Sequence, residues 1–379
     1  MAPPIRVGII GLSAVQDFSG AGSWTAGAHL PALRSLPDQY EIVALANSSV
    51  ESARRSAEFH KLPSTVRTYG SPEDLARDDG VDLVLVSVQV GKHYALARPA
   101  LDHGKKVFVE WPLGASYREV EELTQLAAAR DGGVGGAVVG VQGRANPALE
   151  KIKSIIAGGT IGDVASSTLS VGSALMSAKT ISEGWAYYVD KDSGGNFLTI
   201  NFGHAVDAFV QVLGDIPKPQ AIFKTHTQTV KVVNDAGEVV DPALRQTAPD
   251  HIFVQGVTDK GVLSSLTFRS VKSGSSEGAG LRWVIEGTEG ELVVTGLEMG
   301  LSMQSDLSVR LSVGDEPARD VSLDDVRPAR HRDLPPPAQN VAAMWEAFAA
   351  GDTTKYATFE SAASSHRLLE RVRASAESS

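Results

Sequence analysis

Short apolar runs alternate with amphipathic segments along the first third of the chain. The runs, each long enough for a buried strand, lie at 5–10, 41–46, 81–88, 106–110 and 137–142. Segments with helical spacing separate them, at 25–35, 50–60, 93–103 and 117–130. Strands that alternate with helices predict a parallel, doubly wound sheet. In such a sheet a ligand binds at the carboxyl ends of the strands.

The pattern changes near Arg144. A helix is predicted after Asn146-Pro147, because Asn caps helices and Pro suits the first helical position. Several strands in series then predict a large, mostly antiparallel open sheet. These strands are expected at 165–171, 220–233, 252–258, 262–271 and 283–294, with a helix at 197–213 and a surface crossing at 315–340.

The turn after the first strand reads Gly11-Leu12-Ser13-Ala14. A strand, a glycine turn and a helix together offer backbone N–H groups to a pyrophosphate. The fingerprint is incomplete, since Ser13 stands at the second glycine position and an insertion over 15–23 obscures the third. By itself, this turn is equally typical of an ordinary strand-to-helix connection.

The end of the second strand carries no acid. Asn47-Ser48-Ser49 stands where a carboxylate usually binds the adenosine ribose, and Arg54 and Arg55 follow one turn into the next helix. An acid would repel a 2′-phosphate, whereas these residues tolerate or bind one. We therefore predict NADP as cofactor, with NAD as the alternative; solvated helix positions would also account for both arginines.

Two domains follow from these patterns. We predict a dinucleotide-binding Rossmann domain over 1–143 and an α+β substrate and dimerisation domain over 144–379, closed by helices over 341–375. The length of 379 residues suits two domains better than one.

Composition narrows the possible functions. The absence of cysteine excludes disulfides and thiolate catalysis, and no metal site is predicted. The net charge of −10 argues against a direct nucleic-acid partner. No apolar stretch is long enough to span a membrane and no signal peptide is evident, so a cytoplasmic protein is expected.

Four segments resemble the glucose–fructose oxidoreductase/inositol dehydrogenase family. They are Val-Gly-Ile-Ile-Gly-Leu at 7–12, Gly-Lys-Lys-Val-Phe-Val-Glu-Trp-Pro-Leu at 104–113, Gln-Gly-Arg at 142–144, and Gly-Gly-Asn…Phe-Gly-His-Ala-Val-Asp at 194–207. The second is similar to the family's Gly-Lys-His-Val…Glu-Lys-Pro-Leu signature and the last to its Gly-Gly…Asp-x-Gly-x-His-x-x-Asp signature.

Finer details resemble the branch of this family that contains a yeast galactose-pathway repressor. They are the Val-Glu-Trp sequence at 109–111, Gln89, the pair His93-Tyr94 and Trp24 in the extended turn. Together, the turn chemistry and the resemblance imply a set of cofactor-binding residues. This set is Gly11, Leu12, Ser13, Ala14, Trp24, Asn47, Ser48, Arg54, Val88, Gln89, His93, Glu110, Trp111 and Arg144.

The resemblance also implies an altered catalytic site. Family dehydrogenases place a Lys, an Asp and a His around the substrate carbinol, and here Trp111 and Ile200 replace the first two. His204 remains as the candidate acid or base, with Asp207 one helical turn on. Trp111 is expected to stack on a ring, and Tyr188 and Lys191 are candidate replacement donors. A purely structural role stays open for each.

Three functions are compatible with these residues. The first is an oxidoreductase acting on a carbonyl, imine, conjugated alkene or sugar-like small molecule. The second is a non-catalytic transcriptional regulator that binds a dinucleotide and contacts a protein activator. The third is a non-oxidative enzyme of the same fold. The resemblance further implies a homodimer.

Overall fold

The computed structural model describes residues 3–15, 22–129, 136–271, 280–303, 307–326 and 328–378. The strands are β1 Ile5–Ile10, β2 Tyr40–Ala46, β3 Arg67–Tyr69, β4 Leu83–Val86, β5 Lys106–Glu110, β6 Ala137–Gly140, β7 Val164–Ser173, β8 Thr180–Ser182, β9 Gln220–Lys224, β10 Thr229–Val233, β11 Val239–Arg245, β12 His251–Val257, β13 Leu263–Ser270, β14 Gly280–Gly287, β15 Gly290–Gly296, β16 Ser308–Val313, β17 Arg319–Asp320 and β18 Ala357–Thr358. The helices are α1 Leu30–Arg34, α2 Val50–Phe59, α3 Pro72–Ala76, α4 His93–Asp102, α5 Tyr117–Ala128, α6 Pro147–Ala157, α7 Gly203–Leu213, α8 Gly300–Met303, α9 Pro336–Ala350 and α10 Phe359–Glu377.

The chain forms two compact units. The first consists of Met1–Gln142, Ser193–Gly195 and Asp333–Ser364, and the second contains the remaining residues. The chain thus returns to the first unit near its C-terminal end, where β18 pairs with β6. The predicted boundary between residues 143 and 144 placed all of 144–379 in the second domain. It therefore did not include the return of Asp333–Ser364 to the first unit.

The first unit contains a seven-stranded sheet in the order β18-β6-β5-β4-β1-β2-β3. All pairs are parallel except β18 with β6, so the predicted doubly wound sheet is confirmed. The strand order reverses beside β1, whose neighbours are β2 and β4. In α/β sheets, ligands bind at the carboxyl ends of the strands beside such a reversal, which here are β1 and β4.

The second unit contains an eight-stranded sheet in the order β17-β16-β15-β14-β7-β13-β12-β9. Only the β7–β13 pair is parallel, which confirms the mostly antiparallel sheet. One face is apolar and covered, with Leu169, Trp283 and Leu292 fully buried. A smaller sheet has the order β11-β10-β8.

Some elements differ from the sequence prediction for physical reasons. The single segment expected at 220–233 is two strands, because the N–H groups of His226 and Thr227 leave the ladder and donate to the Asp250 carboxylate at 2.8 and 2.7 Å. Strand β11 was not predicted because it contains Pro242, which an edge strand tolerates. Helix α9 starts inside the predicted surface crossing, on a proline that suits a first helical turn.

Within the described ranges, no helix has both the length and the apolar character that a membrane span needs.

Candidate functional site

The turn after β1 has a shape that only glycine allows. Gly11 has φ +95°, and a Cβ on it would lie 2.4 Å from both the Ser87 carbonyl oxygen and the Val88 Cγ1. The Thr25 hydroxyl donates a hydrogen bond of 2.6 Å to the Gly11 carbonyl. The main chain at the end of β1 therefore lies directly against the segment that follows β4.

Two side chains fix the residues after Gly11. The Asn47 amide bonds to the main chain of Leu12 in both directions, accepting from its N–H at 3.2 Å and donating to its carbonyl at 2.9 Å. The His60 Nε2 donates to the Ser13 carbonyl at 2.7 Å. Asn47, predicted to contact the ribose, thus holds the glycine turn in place. His60 gave no recognisable sequence signal, and most of the 15–23 insertion lies outside the described residues.

The polar groups at the end of β2 are open to solvent. Ser48 is exposed, and Ser49 caps helix α2 by accepting from the Ser52 N–H. Ala14, in the turn after β1, is exposed as well. The Arg54 guanidinium is 63% exposed, and its distance from the Glu51 carboxylate is 3.8 Å, which is long for an ion pair. Exposed pairs of this length bind weakly, so Arg54 stays available to an anion.

His93 connects two loops at the carboxyl edge of the sheet. Its Nδ1 lies 2.7 Å from the Pro112 carbonyl and its Nε2 lies 3.0 Å from the Val88 carbonyl. Burial lowers the pKa of His93, against the opposing effect of these two carbonyls. Both ring nitrogens thus face main-chain carbonyls, while Val88 and Gln89 are half-buried.

Glu110 is the centre of a buried polar network. Its carboxylate accepts from His29 Nε2 at 2.6 Å and from Gln142 Nε2 at 3.0 Å. The Trp345 indole N–H donates to His29 Nδ1 at 3.1 Å, which leaves the ring proton on Nε2. Gly140 makes room, because a Cβ there would lie 2.5 Å from the carboxylate. Glu110, predicted as a cofactor contact, therefore bonds within the first unit.

Two tryptophans predicted for this site differ in exposure. Trp111 follows Glu110 directly and is 4% exposed, whereas Trp24 is half-buried at the start of the helical segment Thr25–His29. His29 and Glu110 are 81 residues apart in the sequence. For this reason, sequence spacing alone did not indicate the contact of His29 with Glu110.

In the second unit, His204 lies in the first turn of α7. It is 8% exposed, and Ile200, four residues earlier, is half-buried in the π-helical turn Leu198–Phe202. Asn196 caps this turn by accepting from the N–H groups of Leu198 and Thr199 at 3.1 and 3.3 Å. Both positions that the family motif identifies are thus in one continuous helical segment.

Arg144 and Asp207 form a buried ion pair. The guanidinium donates from Nε at 2.9 Å and from Nη2 at 2.6 Å to the two carboxylate oxygens. The Ser365 hydroxyl donates to the same carboxylate at 2.7 Å. The two side chains are 3% and 0% exposed, so each charge is balanced by the other.

The two candidate replacement donors are placed differently. Lys191 is exposed, and its Nζ lies 3.2 Å from Asp192. Tyr188 packs among other aromatic rings, and burial raises the pKa of its hydroxyl, with a further contribution from Tyr187. Lys191 therefore lies in solvent, whereas Tyr188 is half-buried within an aromatic cluster.

The buried His366 is expected to make the stability of the fold depend on pH. Burial lowers its pKa to about 3, although Asp207 opposes the shift. Between that value and the ordinary histidine pKa near 6.5, the unfolded chain binds a proton that the folded chain does not. The free energy of unfolding should therefore fall as the pH decreases through this window. The lowered pKa of the buried His93 contributes to the same dependence.

Urea unfolding at several pH values measures this dependence. We expect His366→Gln to lose less stability than the parent between neutral pH and pH 4.5, while His226→Ala, which changes an exposed histidine, keeps the parental slope. Equal slopes for His366→Gln and the parent would contradict the assignment.

Comparison with protein families gives two matches. The model described as an oxidoreductase family with an NAD-binding Rossmann fold matches residues 5–135. The model of the Gal80p C-terminal domain matches residues 147–296.

Two kinds of curated proteins are similar in sequence to this chain. The galactose/lactose metabolism regulatory protein GAL80 of Kluyveromyces lactis is 29% identical over 77% of this chain and 64% of its own length. The chain thus spans less than two thirds of that regulator. Dehydrogenase aclE of Aspergillus oryzae is 30% identical over 100% of this chain and 98% of its own length.

Solved structures agree with the fold. The transcriptional regulator Gal80p of Kluyveromyces lactis superposes with a TM-score of 0.81 at 25% identity, covering 99% of this chain and 93% of that one. Levoglucosan dehydrogenase in complex with NADH and levoglucosan has a TM-score of 0.77 at 16% identity, covering 99% and 98%. This chain belongs to the glucose–fructose oxidoreductase/inositol dehydrogenase family, the oxidoreductase family with an NAD-binding Rossmann fold.

Proposed function

We propose that the protein is an NAD(P)-dependent oxidoreductase with an altered catalytic site. Trp111 and Ile200 stand where family dehydrogenases have Lys and Asp, and the substrate is a carbonyl, imine, conjugated alkene or sugar-like compound. The observation that carries the proposal is the glycine-only turn at Gly11, beside the strand-order reversal. Similarity to a dehydrogenase over nearly its whole length supports it further.

The residues of the first unit fit a dinucleotide. The Ser13 hydroxyl is buried and has no hydrogen-bond partner among the described residues, which leaves it available to a phosphate oxygen. Ser48 and Arg54 are exposed where the adenosine ribose binds in this fold, and we infer a preference for NADP from the positive charge of Arg54 and the lack of an acid at 47–49. The bound cofactor would supply or accept the hydride.

The second unit would supply the proton. The His204 Nδ1 is buried, so Nε2 is the nitrogen that we infer holds or receives a proton at the substrate oxygen. Asp207, the partner of Arg144, lies one turn further along α7, and we infer that Asp207 positions this helix and does not contact substrate.

Replacing His204 tests its role. We expect His204→Ala to lower kcat by about 10²- to 10⁴-fold, the usual contribution of a positioned acid or base. NADPH binding should stay at the parental level. Turnover by His204→Ala equal to that of a His226→Ala control would refute the assignment.

The function itself is tested by titrating the protein with NADPH and with NADH, followed by energy transfer from tryptophan. A panel of carbonyl, imine, enone and sugar substrates is then screened for loss of the reduced-nicotinamide absorbance. Tight binding with consumption of NADPH on any substrate would establish the oxidoreductase. Failure of both cofactors to bind would refute the proposal.

A regulator is the second candidate. It is favoured by the match of residues 147–296 to the Gal80p C-terminal domain and by the replacement of the Lys and Asp positions. Such a protein would bind the dinucleotide without turnover and contact a protein activator. Tight NADPH binding without consumption across the whole panel would favour this candidate over the enzyme.

We also infer a homodimer through the open face of the large sheet. Ile222, Phe253, Val257 and Leu263 are 43–67% exposed, and the register places Phe253 opposite Ile222 and Val257 opposite Leu263. Contiguous exposed apolar side chains typically mark an interface. Light scattering should give twice the chain mass for the parent and the single-chain mass for Phe253→Lys; a parental single-chain mass would refute the dimer.

A further inference from the structure

Three aromatic side chains of the second unit form a half-exposed cluster. Trp185 and Tyr187 lie nearly parallel, with ring centroids 6.0 Å apart and an interplanar angle of 30°. Tyr188 meets Trp185 edge-on at 5.3 Å. All three are half-buried within the segment Glu183–Val189, and we call them the aromatic platform.

The hydroxyls of this platform have unused hydrogen-bonding capacity. Neither the Tyr187 nor the Tyr188 hydroxyl bonds to any residue in the described ranges. Tyrosines that only fill a protein interior usually place the hydroxyl on a partner. Burial raises the pKa of Tyr187 to about 12 and also raises that of Tyr188, so both remain protonated donors.

The platform is tied to the helical segment that carries His204. Tyr188 packs edge-on against the buried Phe197 at 5.2 Å. The Asn196 Nδ2 donates to the Asp190 carbonyl at 3.1 Å, while its Oδ1 caps the turn that contains Ile200. The platform and the candidate acid or base therefore belong to one connected stretch of the second unit.

The geometry points to a binding site for a planar, conjugated ring compound that carries acceptor oxygens such as carbonyls. Aromatic rings attract other rings in offset or edge-on arrangements, and two phenol hydroxyls donate to oxygens at the ring edge. A sugar presents several hydroxyls, each of which needs a polar partner, and the platform offers only two. This inference rests on the proposed function, because it names the substrate class of that oxidoreductase.

Calorimetric titration with coumarin, a planar bicyclic ring compound with one carbonyl, tests the site on the whole chain. We expect measurable binding by the parent, about five- to tenfold weaker binding by the double variant Tyr187→Phe, Tyr188→Phe, and a larger loss for Trp185→Leu. Tyr94→Phe removes a phenol outside the platform and should bind as the parent. The conservative Phe variants keep the rings, and a thermal melt of each variant checks its folding.

The outcomes separate this inference from the proposed function. Coumarin binding that weakens in the platform variants while NADPH binding stays parental supports the site. No coumarin binding, equal binding by all variants, or tighter binding of levoglucosan than of coumarin overturns the inference, whatever NADPH does. If NADPH does not bind, the proposed oxidoreductase is wrong. The coumarin titration then decides by itself whether the aromatic platform binds a planar ring compound.

Discussion

Replacing Arg144 by methionine is expected to lower the free energy of unfolding by about 3–5 kcal/mol. The substitution keeps much of the side-chain volume but removes the charge that balances Asp207, whose carboxylate is fully buried. The Ser365 hydroxyl would still donate to that carboxylate, but it carries no charge to balance it. An uncompensated buried carboxylate must either be protonated or draw water into the interior, and both cost stability.

Two further variants make this measurement specific. Arg54→Met removes an exposed arginine whose ion pair with Glu51 spans 3.8 Å, and its effect should stay within about 0.5 kcal/mol. The double variant Arg144→Met, Asp207→Asn should recover part of the loss, because no buried charge is left. Urea unfolding gives all three values. A loss below about 1 kcal/mol for Arg144→Met would contradict the buried pair.

The sequence predicted the architecture of both units because burial leaves a strong pattern. Strand β4 is buried at all of its positions, as a central parallel strand must be, and it appears as a continuous apolar run. Strands β14 and β15 pair as a hairpin, and most of this hairpin lies within the apolar segment predicted at 283–294. Short edge strands such as β3 and β8 have no such run and were not predicted.

The roles of individual polar residues were harder to predict, because their partners are distant in sequence. Asn47 was placed at the ribose by its position after β2, but its amide bonds to Leu12, 35 residues away. Arg144 was predicted to bind the cofactor, but its Nε and Nη2 donate to Asp207, 63 residues away. A motif reports where a residue lies along a strand or helix, while tertiary packing decides what its side chain contacts.

The glycine turn is the exception, since one residue both carries the sequence signal and sets the geometry. Replacing Gly11 by alanine should weaken NADPH binding by about 100-fold, comparable with the effect of a displacement of about 1 Å at a functional site. A Cβ would lie 2.4 Å from the Ser87 carbonyl oxygen, which is main chain and cannot rotate away. A φ of +95° adds strain of about 1–2 kcal/mol for any residue with a Cβ.

Gly91→Ala is the matched control for this variant. It also adds one methyl group, at a position four residues after Ser87. Nothing lies within 4 Å of the new Cβ there. We expect Gly91→Ala to bind NADPH as the parent does, with both variants showing a cooperative thermal transition. If Gly11→Ala folds and binds NADPH with parental affinity, the turn after β1 does not hold the cofactor. The pyrophosphate would then have to be bound elsewhere on the chain, and the proposed cofactor site would be wrong even if the protein proved to be an oxidoreductase.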